Sequence, residues 1–109
     1  MTMTELSERL YKIGVPVAYY EFKESDRVRP PFIAYFDAET ESIGADYKNF
    51  GESIHAVIEL YTNYPDRTLE KAVQEAVGDL EYTKSKSYIK EEQIWLTAYH
   101  VTIFDIKEE

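Results

Sequence analysis

The segment IHAVIELY at Ile54–Tyr61 and the helical pattern that follows it decide the fold class of this chain. Apolar side chains occupy every second position from Ile54 to Leu60. The positions between them, which start at His55, form the other face of the segment. This is the period of a strand with one face in a core. After the turn-forming residues 63–66, for which Asp66 or Thr68 supplies a helix cap, apolar side chains return at the spacing of one helix face. They are Leu69, Val73, Val77 and Leu80.

The residues before this segment predict one more helix and two more strands. Leu6, Leu10 and Ile13 recur at helical spacing within residues 4–14, where Thr2 or Thr4 is suited to cap the helix. Residues 17–22 and 32–38 are rich in β-forming side chains and predict two strands, joined by a charged loop. Residues 39–52 contain several turn-forming residues, so we expect a long loop there.

Two strands are predicted after the second helix. Residues 82–90 alternate lysine with small polar residues, which is typical of a protected sheet edge. Residues 94–104 are apolar on both faces, which suits a central strand or a strand whose outer face meets another subunit. Residues 104–109 are expected to form a polar tail.

These elements together predict a single α+β domain over residues 1–109. The expected order is α-β-β-β-α-β-β, with about five strands in an antiparallel-rich or mixed sheet and both helices on one face. The alanines at 72 and 76 allow the second helix to lie close to that sheet.

Composition excludes several classes of protein. The 109 residues include 21 acidic and 12 basic side chains, for a net charge of −9, and no cysteine. Without cysteine there is no disulfide framework, thiolate zinc site or cysteine nucleophile. The negative charge argues against general nucleic-acid binding and against anionic membrane surfaces, because both depend on clustered lysine and arginine. No stretch approaches the roughly 20 apolar residues of a membrane span, so a soluble protein without a leader is expected.

Candidate catalytic and metal-binding groups are sparse. His55 and His100 fall in strands that can be neighbours, and Glu59 shares a face with His55, so these three are the one conceivable ligand set. Acidic pairs at 39 and 41 and at 91 and 92 lie among lysines, as on a solvated surface. The sequence therefore predicts no catalytic residue, no cofactor and no metal site.

Aromatic content is the one compositional feature that indicates a function. Ten tyrosines, five phenylalanines and one tryptophan exceed what a core of this size readily buries, and aromatic side chains are enriched at protein interfaces. The alternative is that tyrosines line the sheet margin with their hydroxyls in water. Arg27 and Arg29 either anchor a carboxylate-bearing partner or keep their loop soluble.

Four segments resemble small proteins of the tail-completion module of siphophages and of prophages of Gram-positive bacteria. They are GVPVAY at 14–19, PFIAY at 31–35, GADY at 44–47 and IELYT at 58–62, the last ahead of an acidic amphipathic helix. The chain looks most like the tail terminator or head-to-tail joining type. The resemblance covers nearly the whole chain, but none of the four segments is a catalytic signature.

This resemblance implies a non-enzymatic α+β protein that self-assembles into a ring, commonly six-fold, and contacts tail-tube and connector proteins. It implies assembly in the host cytoplasm and a final position in the virion tail or at the head-tail junction. A ring needs one patch that complements a different patch on the next copy. We expect Trp95, Tyr99 and Val101, on the outer face of the last strand, to meet a loop that contains Tyr47 and Phe50.

Three other interpretations remain open from the sequence. The chain can be a different minor tail or connector protein of similar length. It can be an acidic regulatory module that sequesters a basic host protein, including one that imitates DNA, and salt would then weaken its binding strongly. A small enzyme that uses His55 and His100 would bind a divalent metal or show a perturbed histidine titration.

Overall fold

A computed structural model describes residues 1–23, 28–45 and 47–107 of the chain. Within these residues the elements are α1 (Met3–Tyr11), β1 (Val17–Tyr19), β2 (Phe32–Ala45), β3 (Lys48–Thr62), α2 (Arg67–Ala76), β4 (Tyr82–Ile89) and β5 (Ile94–Ile106). The five strands form one mixed, mostly antiparallel sheet in the spatial order β1-β2-β3-β5-β4, in which only β1 and β2 are parallel neighbours. The α+β class and the predicted order of elements are confirmed.

Each helix begins at a side-chain cap that the sequence offered. The Thr2 hydroxyl accepts a hydrogen bond from the Glu5 amide at 3.1 Å, and the Asp66 carboxylate accepts one from the Leu69 amide at 3.1 Å. These bonds satisfy amides that have no partner within the first turn of a helix.

The core lies between the two helices and one face of the sheet. Leu6 and Leu10 of α1 and Val73 of α2 are fully buried, together with Val77 at the end of α2. They pack against the even-numbered side chains of β3 from Ile54 to Leu60, as the alternation in that strand predicted. The Arg9 guanidinium donates to the Ala76 carbonyl oxygen and to Asp79, and so joins the helices across their surface.

The loop expected at residues 39–52 is wrong: in the described residues this stretch is a β-hairpin. β2 continues to Ala45, β3 starts at Lys48, and the two strands stay in register except for shifts after Asp37 and after Ile43. Gly51, with φ of 155°, lies where an added Cβ would meet the Asp105 carbonyl oxygen at 2.3 Å. Turn-forming residues therefore occupy irregular positions within the ladder, and Asp46 lies outside the described residues.

The polar tail expected at 104–109 is also wrong in part. β5 runs through Ile106, and the Lys107 amide still donates to the Phe50 carbonyl oxygen at 2.8 Å. Pairing with the extended β3 supplies hydrogen bonds that a tail would otherwise make to water. The first strand, in turn, is shorter than expected and ends at Tyr19.

β4 forms one edge of the sheet, as its lysine pattern predicted, and β5 is an internal strand between β3 and β4. Within the described ranges, neither helix has the length and apolar character that crossing a bilayer requires.

Candidate protein–protein interface

The far end of the β2–β3 hairpin forms an extension of the sheet that we call the arm. It comprises residues 39–45 of β2, Tyr47 in the turn, residues 48–53 of β3, and residues 104–107 at and just after the end of β5. The molecule measures 51 × 29 × 25 Å along its principal axes. Four large apolar side chains of the arm are solvent-exposed: Tyr47, Phe50, Phe104 and Ile106. Apolar side chains grouped at one end of a molecule are typical of a protein-binding surface.

The backbone holds Phe50 in place. Ile43 pairs with Gly51 and Gly44 pairs with Asn49, so Phe50 is the additional residue of a bulge. The Asn49 side chain accepts a hydrogen bond from the Gly51 amide at 3.0 Å, and the Phe50 carbonyl oxygen accepts the one from Lys107. An aromatic side chain on a fixed backbone loses little conformational entropy on binding, which favours an interface role for Phe50.

One side of the arm is acidic. Glu39 and Glu41 line a small polar concavity of about 160 Å³ with Ser53, His55 and Thr102, on the sheet face opposite the helices. Next to it, His55 Nε2 lies 2.9 Å from His100 Nδ1, so the two imidazoles share one hydrogen bond. The structure thus brings the two histidines together as neighbours. Within the described residues, no group of three or more His, Asp and Glu side chains is placed to hold a metal ion.

Aromatic side chains also cover part of the sheet face opposite the helices. Tyr20 contacts Phe36 with ring centroids 5.3 Å apart, and Phe22 contacts Phe32 at 5.4 Å. Phe32 in turn stacks on Tyr61 at 4.8 Å. Burial, together with the Glu59 carboxylate, raises the pKa of Tyr61 to about 12. Much of the aromatic surplus is therefore used within the molecule.

The expectation that Tyr99 and Val101 lie on the outer face of β5 is wrong. Tyr99 is fully buried and Val101 is 2% exposed, because both lie on the face that α2 covers. Trp95 is half-buried and packs against Tyr88 with ring centroids 5.2 Å apart. The exposed large apolar side chains of β5 are instead Phe104 and Ile106.

The remaining predicted interface residues are distributed as follows. Tyr47 is fully exposed and Phe50 is 43% exposed, both on the arm, and their role in binding stays a prediction. Arg29 is exposed in the loop before β2, and Arg27 lies outside the described residues. Sequence reasoning missed Phe104 and Ile106 because the end of β5 was assigned to a tail. The available signal was the run of β-forming residues that continues through Phe104 and returns at Ile106.

A second charged feature lies between α2 and the edge strand β4. The Glu70 side chain is 5% exposed, and its oxygens lie 2.7 Å from the Lys84 ammonium and 2.8 Å from the Lys86 ammonium. Burial by itself would raise the pKa of Glu70, but the hydrogen bonds and charges of the two lysines outweigh it and lower that pKa. Glu70 is therefore ionised at neutral pH and joins β4 to α2.

Replacing Glu70 with glutamine should lower the free energy of unfolding by about 1–3 kcal/mol at neutral pH, since two partly buried lysines lose their shared carboxylate. Because the folded-state pKa of Glu70 is lowered, its contribution is complete above the ordinary glutamate pKa and is lost as the pH falls below it. Urea unfolding near pH 7 and near pH 3 measures both effects. The difference in free energy of unfolding between the variant and the unmodified protein should be smaller near pH 3 than near pH 7. An equal difference at both pH values would contradict this account.

No protein-family model matches this chain, and no curated protein sequence matches it. Among solved structures, the chain is similar to a protein chain in the virion of a native gene transfer agent particle, with a TM-score of 0.69. The similarity covers 94% of this chain and 92% of that chain, and the two sequences are 10% identical. At this identity the likeness establishes a shared fold.

Proposed function

We propose that this chain is a structural protein of a phage-like virion. The observation that carries the proposal is its fold likeness to a virion chain of a gene transfer agent particle, which extends over more than nine-tenths of both chains. A likeness of that extent leaves little of either chain outside the common fold. A fold alone does not determine function, so the surfaces of the molecule must support the proposal as well.

Within such a virion, we propose a non-enzymatic role in tail termination or head-to-tail joining through a ring of identical copies, six in the commonest arrangement. The exposed apolar side chains of the arm support this role, because they lie at one end of an elongated molecule where a neighbour can cover them. In a ring, each copy uses one patch against a different patch on the next copy. Tail-tube and connector proteins are the further partners. The chain would assemble in the host cytoplasm and remain in the virion at the tail or head-tail junction.

The first test is the oligomeric state of the unmodified chain. Size exclusion with light scattering over a wide concentration range, with negative-stain imaging of large species, should detect a closed ring at high concentration or when purified tail tubes are added. A chain that stays monomeric in both conditions would contradict the ring. Tight, salt-sensitive binding of that monomer to a basic host protein would favour the acidic regulatory module instead.

Replacing Tyr47 and Phe50 together with serine should weaken assembly at least tenfold and leave the free energy of unfolding within roughly 1 kcal/mol, since both side chains are exposed. Concentration-dependent light scattering and urea unfolding measure the two quantities. Tyr64→Ser is the matched control, because Tyr64 is 63% exposed but follows the end of β3 that is remote from the arm. Equal assembly of the double variant and the control would remove the arm from the interface.

A further inference from the structure

A basic groove lies on the helix side of β4. Four cationic side chains line a concavity of about 510 Å³ between α2 and β4, together with Glu70 and Gln74. The four are Arg67, Lys71, Lys84 and Lys86, a third of the 12 basic residues of a chain whose net charge is −9. A local excess of positive charge on an acidic protein marks a site for an anionic partner.

The charge of the groove is only partly compensated from within. Glu70 is the acidic side chain that lines it, and its one carboxylate is shared by Lys84 and Lys86. Four cations against one carboxylate leave three positive charges. Arg67 and Lys71 belong to the exposed surface of α2, where an incoming carboxylate can reach them without displacing Glu70.

The acidic side of the arm has the complementary charge and spacing. Glu39 and Glu41 are two residues apart on an extended strand and point to one face, about 7 Å from each other. Arg67 and Lys71, the groove cations that an incoming carboxylate can reach, are four residues apart on one face of α2, with their Cβ atoms about 6 Å from each other. Two carboxylates at this spacing can therefore contact two cations of the groove at the same time.

The arm and the basic groove of one molecule cannot satisfy each other. The acidic side of the arm faces away from the helices, whereas the groove lies on the helix side, and β3 and β5 separate β2 from β4. Two strands between them set β2 and β4 about 14 Å apart. The charge complementarity can be used only between two copies.

We propose that the acidic side of the arm of one copy lies in the basic groove of a second copy. This inference rests on the proposed ring and names its contact. Successive copies then overlap, with the arm of each on the helix side of the next. An open row of copies has one free arm at one end and one free groove at the other until the ring closes, which is the head-to-tail contact that a cyclic assembly requires.

A charge-swap experiment tests the contact. The arm variant Glu39→Lys/Glu41→Lys and the groove variant Arg67→Glu/Lys71→Glu should each raise the dissociation constant for self-association at least about 100-fold, because like charges then face each other. Mixing the two variants in equal amounts should restore assembly to within about tenfold of the unmodified protein. Glu5→Lys/Glu8→Lys, on the exposed surface of α1, is the charge-matched control and should assemble normally.

Carbodiimide coupling of the unmodified chain is an independent measurement, since it links a carboxylate directly to a contacting amine. The expected product joins the peptide that contains Glu39 and Glu41 to a peptide that contains Lys71, Lys84 or Lys86. Mixing isotopically light and heavy protein shows whether the link is between two copies. An absence of such a link at concentrations where the chain assembles would overturn the contact.

The remaining outcomes separate this inference from the proposed function. If the unmodified chain forms a ring and both variants form it equally well, the contact is wrong and the virion role stands. If both variants fail alone and also fail when mixed, the two surfaces do not meet and the contact is wrong. If the groove variant assembles normally but loses affinity for single-stranded DNA, the groove binds nucleic acid instead. If the unmodified chain forms no ring even with tail tubes, the proposed ring and the proposed contact are both wrong.

Discussion

Replacing Tyr99 with alanine should lower the free energy of unfolding by about 4 kcal/mol, the range of large-to-small changes at fully buried aromatic positions. The Tyr99 ring is completely buried, and its hydroxyl shares its one hydrogen between the Glu70 carbonyl oxygen and the Gln74 Oε1, each at 3.2 Å. Burial, with the Glu70 carboxylate nearby, raises the pKa of Tyr99, so the ring stays neutral at physiological pH. The substitution removes both the packing of β5 against α2 and these hydrogen bonds.

Tyr99→Phe separates the two contributions. It keeps the ring and should cost about 1 kcal/mol, the usual value for a lost buried hydrogen bond. Urea unfolding of the three proteins measures the series. A loss below about 1 kcal/mol for the alanine variant would mean that Tyr99 is not a core residue. In an assembly assay, Tyr99→Ala would mainly report loss of folded protein, whereas the arm variants report contact between copies.

Replacing Gly51 with alanine should lower the free energy of unfolding by about 3 kcal/mol and disorder the attachment of the arm. Its φ of 155° disfavours any L side chain, and the new Cβ would lie 2.3 Å from the Asp105 carbonyl oxygen and 2.8 Å from the Ile106 Cα. These are backbone atoms of the paired strand, so they cannot move aside without breaking the β3–β5 ladder. Hydrogen exchange of amides at 50–54 and 103–107 should accelerate more than exchange in the core.

Gly14→Ala is the matched control for this prediction. Gly14 also has a positive φ, of 97°, but an added Cβ there meets no atom within 4 Å. It should therefore cost only the conformational strain, about 1 kcal/mol. Equal losses of unfolding free energy for the two variants would show that glycine is needed at position 51 for its backbone conformation and not for the close approach of β5.

The arm offers a neighbouring molecule two kinds of contact. Its exposed apolar side chains supply contact area, whereas Glu39 and Glu41 supply charge. Apolar contact stabilises an assembled state, and complementary charge selects the orientation and speeds association. Self-association is therefore expected to depend on salt mainly through its association rate.

The amino-acid sequence by itself determined the elements whose pattern is local. The alternation in Ile54–Leu60, the helical spacing of Leu69 and Val73, and the cap at Asp66 each follow from residues close together in the chain. The lysine pattern of residues 82–90 identified an edge strand for the same reason, since edge protection depends on the side chains of that strand alone. The order α-β-β-β-α-β-β could be read from these signals.

Only the tertiary structure decided the features that depend on pairing between distant residues. Ile58 pairs with Tyr99 and Ala56 pairs with Val101, and this register turns Tyr99 and Val101 toward α2. A shift of one residue would have turned the other face of β5 inward, and a strand that is apolar on both faces does not reveal which register is used. The arm likewise exists because β5 extends alongside residues 51–54, where a loop was expected. Gly51 permits this close approach, because it has no Cβ to meet the β5 backbone. Strand register and close backbone approach arise from contacts across the sheet, and these contacts placed both the arm and the basic groove.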